Sequence, residues 1–225
     1  MDFRKRIKIN NIYNNNEFYK VYNKSGMQVG IIEVKDERKL NDSTFLKEKG
    51  FNEEVFLRGV TCFVINEHGE VLVEQRANTE LTPGKRDIVS GHVNGNEHGF
   101  QAMARELREE VGIDCIEYTD IIKLNEQSKP LYFESRGQIR NFLIDFYCLF
   151  IKAEQVKEFQ KEEVKSLRWV PMELAFDMLR AGRMKFPKKE VGKVSYETII
   201  NQVRKEYTQK SSKNRSDEKK VMEKW

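Results

Sequence analysis

Three acidic residues crowd a short stretch of the sequence "RELREEVG": Glu106, Glu109 and Glu110. Carboxylates this close repel one another, so their grouping needs a compensating charge. Hard divalent cations such as Mg²⁺ take carboxylate oxygens as ligands, and they usually bring phosphate groups with them. On the three glutamates alone, a solvated acidic helix face is the favoured interpretation, and a metal site for phosphate chemistry is the alternative.

The acids lie near the end of a helix that we predict over residues 98–111, with Gly112 as its stop signal. On a helical wheel, Glu109 and Glu110 fall within about 60° of Glu106. The neighbouring face is apolar and suits a core; it carries Phe100, Met103, Ala104, Leu107 and Val111. The helix macrodipole disfavours acids in the last turns, and Arg105 and Arg108, on the far side of the wheel, offset this only in part. This position favours bound cations over a merely solvated face.

The whole stretch from Gly91 resembles the box motif of the Nudix hydrolases. Every fixed position of that motif is filled, by Gly91, Glu97, Arg105, Glu106, Leu107, Glu109, Glu110, Gly112 and Ile113. The resemblance implies an α/β fold, in which a mixed β-sheet lies between helices in an α/β/α sandwich. It also implies hydrolysis of a diphosphate linked to another moiety, with Mg²⁺ or Mn²⁺ as cofactor.

Carried over by position, the resemblance assigns a role to each box residue. Glu106, Glu109 and Glu110 would bind the metal, the Gly91 carbonyl would assist, and Arg105 would orient the glutamates. One of these glutamates, or an acid elsewhere, would activate the attacking water.

Residues outside the motif complete the expected site. Glu97 falls opposite the carboxylates on the wheel, which fits a role in bracing the loop. The resemblance also implies one further acid, as a metal ligand or base, on a loop before a Trp-Val strand. In "KEEVKSLRWV" the candidate is Glu163, with Glu162 as its alternative and a surface acid pair as the bland interpretation.

Basic residues near the start of the box are candidates for holding substrate phosphates. They are Arg76, Lys85 and Arg86, with Arg58 as a weaker candidate, and ordinary surface charge is the alternative. His92 fits a hydrogen-bonding role in the loop better than metal ligation.

A narrower resemblance links residues 55–93 and the N-terminal hairpin to the branch that includes isopentenyl diphosphate isomerase. The isomerase reaction is the first alternative function. It requires a catalytic cysteine where this chain has Ser90, and Thr79 and Glu80 replace the lysines common in that branch. We therefore expect hydrolysis, with a nucleoside diphosphate derivative as the foremost small-molecule substrate and prenyl diphosphates, nucleotide sugars and dinucleotides still open.

The second alternative is a nucleic-acid-binding or RNA-cap module, because the tail contains "KSSKNRSDEKK". Mixed charge runs are usually solvated, and the formal net charge is only +4. These features make nucleic acid a less favoured partner than a small diphosphate.

The remaining sequence suggests three segments. Residues 1–52 form an N-terminal extension with a hairpin and a short helix, residues 53–190 form the Nudix domain, and residues 191–225 form a helix, capped by Ser195, with a tail lacking ordered structure from about Thr208. We find no signal peptide and no membrane span, and we expect Cys62, Cys115 and Cys148 to be reduced. The expected location is the cytoplasm, and a homodimer is compatible with the sequence.

Overall fold

A computed structural model describes residues 18–40, 42–77, 84–113, 121–126, 129–135, 138–157, 163–184 and 196–222. Several residues discussed above lie outside these ranges: Thr79, Glu80, Cys115, Glu162 and Ser195.

The N-terminal extension contains the predicted hairpin. Its elements are β1 (Phe18–Tyr22), β2 (Gln28–Glu33), a 3₁₀ helix (Val34–Lys39) and α1 (Ser43–Glu48). β1 and β2 pair antiparallel, and the Asn23 side chain closes their turn by accepting hydrogen bonds from the backbone of Ser25 and Met27. The Asp42 side chain caps α1 by accepting from the N–H of Thr44 at 2.8 Å.

The main sheet consists of eight strands among the described residues. They are β3 (Leu57–Ile65), β4 (Glu70–Arg76), β5 (Arg86–Asp87), β6 (Val89–His92), β7 (Ile121–Lys123), β8 (Lys129–Ser135), β9 (Gln138–Phe150) and β10 (Val164–Pro171). The central order is β10-β4-β3-β9-β7, while β5 pairs with β4, β6 with β3 and β8 with β9. β3 and β9 run parallel and the other pairs antiparallel, so the sheet is mixed as predicted.

In the part of the chain that the structure describes, three helices cover the sheet: α2 (Gly99–Val111), α3 (Met172–Arg180) and α4 (Tyr196–Met222). Side chains alternate between the two faces of a strand, and β3 is buried on both. Val60 and Cys62 belong to the cluster that contains Leu107 of α2. Phe63 belongs to the opposite cluster, which contains Phe176 of α3 and Ile200 of α4. The predicted α/β/α sandwich is therefore confirmed.

The segment "DIVS", predicted as one strand, is divided in two. β5 pairs with β4 and β6 pairs with β3, so the chain changes partner strands at Ile88. Ile88 is fully buried, and its N–H donates to the side chain of Asp87 at 3.0 Å. This buried turn brings the start of the box against α2.

The prediction of a tail without ordered structure from Thr208 is wrong for the residues through Met222, because α4 continues that far. The first half of α4 is anchored by Ile199, Ile200 and Val203 in the core. Once a helix has nucleated, each further residue adds a hydrogen bond at little cost. The segment 196–222 contains neither Gly nor Pro to stop that growth.

Candidate functional site

The carboxylate-bearing helix α2 is held rigidly against the sheet. Met103, Leu107 and Val111 are fully buried on its core face. Gly112 ends it in a left-handed conformation with φ of 66°, where its N–H donates to the Arg108 carbonyl at 3.1 Å. The predicted helix and its stop are confirmed, and the helix fixes the backbone of the three glutamates.

The start of the box lies directly against Glu106. A Cβ atom added to Gly91 would lie 1.8 Å from Glu106 Oε1 and 2.1 Å from its Cδ. Real Cβ contacts under 3.0 Å essentially do not occur, so a larger residue would fit there only if the Glu106 side chain moved. The glycine therefore lets the Glu106 carboxylate approach β6.

Arg105 organises the acids around it. Its Nη1 donates to Glu106 Oε1 at 2.7 Å and to Glu109 Oε2 at 3.1 Å. Its Nε donates to Glu97 Oε1 at 2.8 Å, and its Nη2 donates to the His92 carbonyl at 2.9 Å. The wheel placed Arg105 away from the core, yet it is buried, because these partners satisfy its guanidinium.

Glu97 braces the loop, as its position on the wheel suggested. Its carboxylate accepts from both Nε and Nη2 of Arg105 and from the N–H of Asn94 at 3.1 Å. Burial alone would lower the pKa of Arg105, but the hydrogen bonds to Glu97 and the charges of Glu106 and Glu109 raise that pKa above its usual value. Arg105 therefore stays charged in the site.

Glu106 and Glu110 are buried acids that resist ionisation. Burial raises the pKa of Glu106 to about 7, against the attraction of Arg105. Burial also raises the pKa of Glu110 well above its usual range, and the charges of Glu74 and Glu106 add to that rise. The Ser90 N–H donates to Glu110 Oε2 at 3.1 Å. A bound cation would therefore stabilise the ionised form of both carboxylates.

Two further buried acids lie beside Glu110, and the sequence analysis missed them. Glu74 and Asp87 are each 2% exposed, and the charge of each raises the pKa of Glu110. A signal for Glu74 existed, since it shares a strand face with the buried core residue Leu72. No pattern marked Asp87, whose burial depends on the pairing of β5 with β4.

Glu163 immediately precedes β10. Its backbone carbonyl accepts from the N–H of Ala77, the residue after β4, at 2.8 Å. Its negative charge is among the causes that raise the pKa of Glu106. The structure therefore brings the predicted fourth acid within electrostatic reach of Glu106.

The candidate phosphate-binding residues differ in how exposed they are to solvent. Lys85 and Arg86 are exposed. Arg76 is 9% exposed, and its Nη1 faces Asp87 Oδ2 at 3.5 Å and Glu74 Oε1 at 3.7 Å. These contacts give Arg76 internal partners that the sequence analysis did not include.

Arg58 and His92 also have protein partners. Arg58 pairs with Asp145 at 3.2 Å and lies over the ring of Tyr22. His92 Nε2 contacts Glu37 Oε1 at 3.3 Å, and its ring stacks on Tyr19 with centroids 5.2 Å apart. The hydrogen-bonding interpretation of His92 agrees with this contact, which ties the N-terminal extension to β6.

The donor set suits a hard divalent cation, because every candidate ligand is an oxygen. In the described part of the chain, no three His, Cys, Asp or Glu side chains are already arranged as metal ligands. Arg105 instead holds Glu106 and Glu109. The fit therefore rests on the buried, mutually repelling carboxylates and on the close approach at Gly91.

Comparison with known proteins identifies the family of the chain. The NUDIX domain family matches residues 55–191, which is more than half of the chain, so the chain belongs to the Nudix family. The predictions of family and fold class are confirmed. No helix in the described ranges has the length and hydropathy needed to span a membrane.

Individual relatives are distant. Nudix hydrolase 8 of Arabidopsis thaliana is 26% identical over 115 residues, which is 51% of this chain but only 29% of that protein. The solved structure of DR0079 from Deinococcus radiodurans has a TM-score of 0.50 at 22% identity, covering 83% of this chain and 98% of that one. The NUDIX domain of Shewanella oneidensis NrtR, solved with ADP ribose, has a TM-score of 0.48 at 19% identity, covering 74% of this chain and 99% of that one.

Proposed function

We propose that this protein hydrolyses a diphosphate linked to another moiety, in a reaction that depends on a divalent metal. A nucleoside diphosphate derivative is the substrate class that we favour. The observation that carries the proposal is the placement of two buried carboxylates of one helix against β6: Glu106 lies where a Cβ on Gly91 would overlap it, and Glu110 accepts from the Ser90 N–H.

Glu106, Glu109 and Glu110 would hold the cation, with the carbonyl of Gly91 as a further candidate ligand. Mg²⁺ is the first candidate and Mn²⁺ the second, since both accept carboxylate oxygens. When bound, such an ion supplies positive charge that neutralises diphosphate oxygens and makes water more acidic. Arg105 then serves to orient Glu106 and Glu109, because its planar guanidinium holds both at once.

The chain must also take a proton from the attacking water. Glu163 is our candidate base, with the box glutamates as alternatives. Its carboxylate is close enough to influence Glu106, and the hydrogen bond from Ala77 fixes its backbone. A base must lie within hydrogen-bond reach of the water that it deprotonates, so this role requires the Glu163 carboxylate to approach the bound cation.

Basic side chains near the entrance of the box would receive the phosphates. Lys85 and Arg86 offer exposed charge, and the Lys85 carbonyl accepts from the Arg76 N–H at 2.9 Å. Arg76 and Arg58 remain candidates whose charge is shared with buried acids. Substrate phosphates would therefore meet Lys85 and Arg86 first.

A substrate panel with purified full-length protein tests the proposal. It should include nucleotide sugars, nucleoside diphosphates, dinucleotides and isopentenyl diphosphate, each with Mg²⁺ and with EDTA, and ³¹P NMR should identify the bond broken. We expect hydrolysis of at least one compound only when metal is present. Turnover in EDTA, or isomerisation of isopentenyl diphosphate without hydrolysis, would contradict the proposed reaction.

A further inference from the structure

Glu74 and Asp87 form an unusual like-charged pair within the sheet. They lie directly opposite each other in the register of β4 and β5, and each is 2% exposed. Like charges directly opposite on neighbouring strands destabilise a sheet, and burial increases that cost. A pair of this kind needs a specific compensating charge.

Arg76 supplies that charge. Its Nη1 lies 3.7 Å from Glu74 Oε1 and 3.5 Å from Asp87 Oδ2. Arg76 is itself buried at the end of β4. Two carboxylates and one guanidinium leave this group with one net negative charge when all three are ionised.

The charged group is connected to Glu110 through the turn between β5 and β6. Asp87 Oδ1 accepts from the Ile88 N–H at 3.0 Å, and Asp87 Oδ2 accepts from the Ser90 hydroxyl at 3.4 Å. The Ser90 N–H in turn donates to Glu110 Oε2 at 3.1 Å. The charges of Glu74 and Asp87 also raise the pKa of Glu110, so these acids act on it through space as well.

We propose that Glu74 and Asp87 are positioning residues that hold the Arg76 guanidinium between them at the end of β4 and, through Ser90, set the charge next to Glu110 in the cation-binding site. Asp87 has a second role, because it fixes the turn whose N–H binds Glu110. This inference rests on the proposed function, since it assigns a role to residues around the same carboxylates.

The inference predicts that removing an acid and removing Arg76 change the affinity for a divalent cation in opposite directions. Glu74→Gln or Asp87→Asn removes a negative charge and leaves Arg76 less compensated, so a divalent cation should bind more weakly. Arg76→Met removes the positive charge, so the same cation should bind more tightly. For charges this close in a poorly solvated site, we expect each change to be about threefold or more. If the group were purely structural, these substitutions would destabilise the fold without changing cation affinity in opposite directions.

Mn²⁺ binding to the full-length chain, followed by electron paramagnetic resonance without substrate, tests the inference independently of catalysis. The matched control is Asp36→Asn, since Asp36 is also a buried aspartate, 4% exposed and paired with Lys39 at 2.7 Å. We expect weaker binding in Glu74→Gln and Asp87→Asn, tighter binding in Arg76→Met, and no change in Asp36→Asn. The Mg²⁺ concentration for half-maximal hydrolysis should follow the same order.

Unchanged Mn²⁺ affinity in the folded variants, or changes of one sign in all of them, would overturn the inference. If Asp87→Asn does not fold, Glu74→Gln decides, because it leaves the Ser90 turn intact. If neither acid variant folds, the acids serve the fold alone and the inference is also overturned. Mn²⁺ affinities that change in opposite directions in the variants would support the inference even if the wild-type protein hydrolysed no substrate. The lack of hydrolysis would then contradict only the proposed reaction.

Discussion

Gly91 and Glu106 are packed so closely that even one methyl group on Gly91 would overlap the Glu106 carboxylate. The overlapping atoms belong to the end of a flexible side chain, so Glu106 is able to rotate away while the backbone stays in place. A glycine at this position therefore controls where the carboxylate lies.

Gly91→Ala should fold but displace Glu106, and we expect kcat to fall by about 10²-fold. Steady-state kinetics and a thermal melt measure the two effects. Gly30→Ala is the matched control, because its Cβ would also clash, at 2.7 Å from the ring of Phe51, away from the box. Gly30→Ala should lower Tm with little change in kcat, and equal kcat losses in both variants would contradict the role of Gly91.

Arg105→Lys should reduce activity although the charge is kept. A lysine lacks the planar fork that binds Glu97, Glu106 and Glu109 together. We expect a loss of about 10-fold to 100-fold in activity or metal affinity, measured as kcat against Mg²⁺ concentration. Arg180→Lys, at an exposed ion pair, is the control and should behave as wild type. Full activity of Arg105→Lys would contradict the proposal that Arg105 orients the glutamates.

Glu163→Gln should lower kcat by about 10²-fold or more if Glu163 is the base. The fold should persist, because the backbone carbonyl of Glu163 and its hydrogen bond from Ala77 are unchanged. Glu154→Gln is a suitable exposed control. Wild-type kcat in Glu163→Gln would move the role of base to Glu162 or to an acid outside this turn.

The raised pKa of Glu106 predicts how the metal-free protein responds to pH. In the folded state this carboxyl keeps its proton up to about pH 7, whereas its ordinary pKa is 4.5. Between these values the folded state binds more protons than the unfolded state, so this group lowers the free energy of unfolding as pH rises. Wild type in EDTA should lose stability relative to Glu106→Gln between pH 4.5 and 8, as chemical denaturation can measure. A constant difference across that range would refute the shift.

The box helix was predictable from sequence because its period, its acids and its terminal glycine all point to the same element. The burial of Arg105 was not, since a helical wheel contains no information about partners such as Glu97 and the His92 carbonyl. Asp87 was missed for a related reason. Its neighbours are fixed by the pairing of β4 with β5, a long-range contact that local pattern does not encode.

The extent of α4 shows a limitation of predictions made from composition. Polar composition after Thr208 suggested a tail without ordered structure, but helical residues continue to Met222. Within α4, the Thr208 and Ser212 hydroxyls donate to carbonyls one turn earlier, at 2.9 Å each. A polar composition shows that a segment has few apolar side chains to bury. It does not show that the segment lacks a helix, because a helix anchored at one end is able to continue without burying more apolar surface.

The most direct test of the central claim is the thermal stability of wild type and Glu110→Gln, each in EDTA and in millimolar Mg²⁺, with hydrolysis measured alongside. Without metal, Glu110→Gln should be as stable as wild type or more stable, because it removes a carboxyl whose ionisation is opposed by burial and by the charges of Glu74 and Glu106. Mg²⁺ should raise the Tm of wild type through binding to the folded state. It should raise the Tm of Glu110→Gln much less, and most hydrolysis should be lost in that variant. Equal gains in Tm and equal rates of hydrolysis would contradict a cation site at these glutamates.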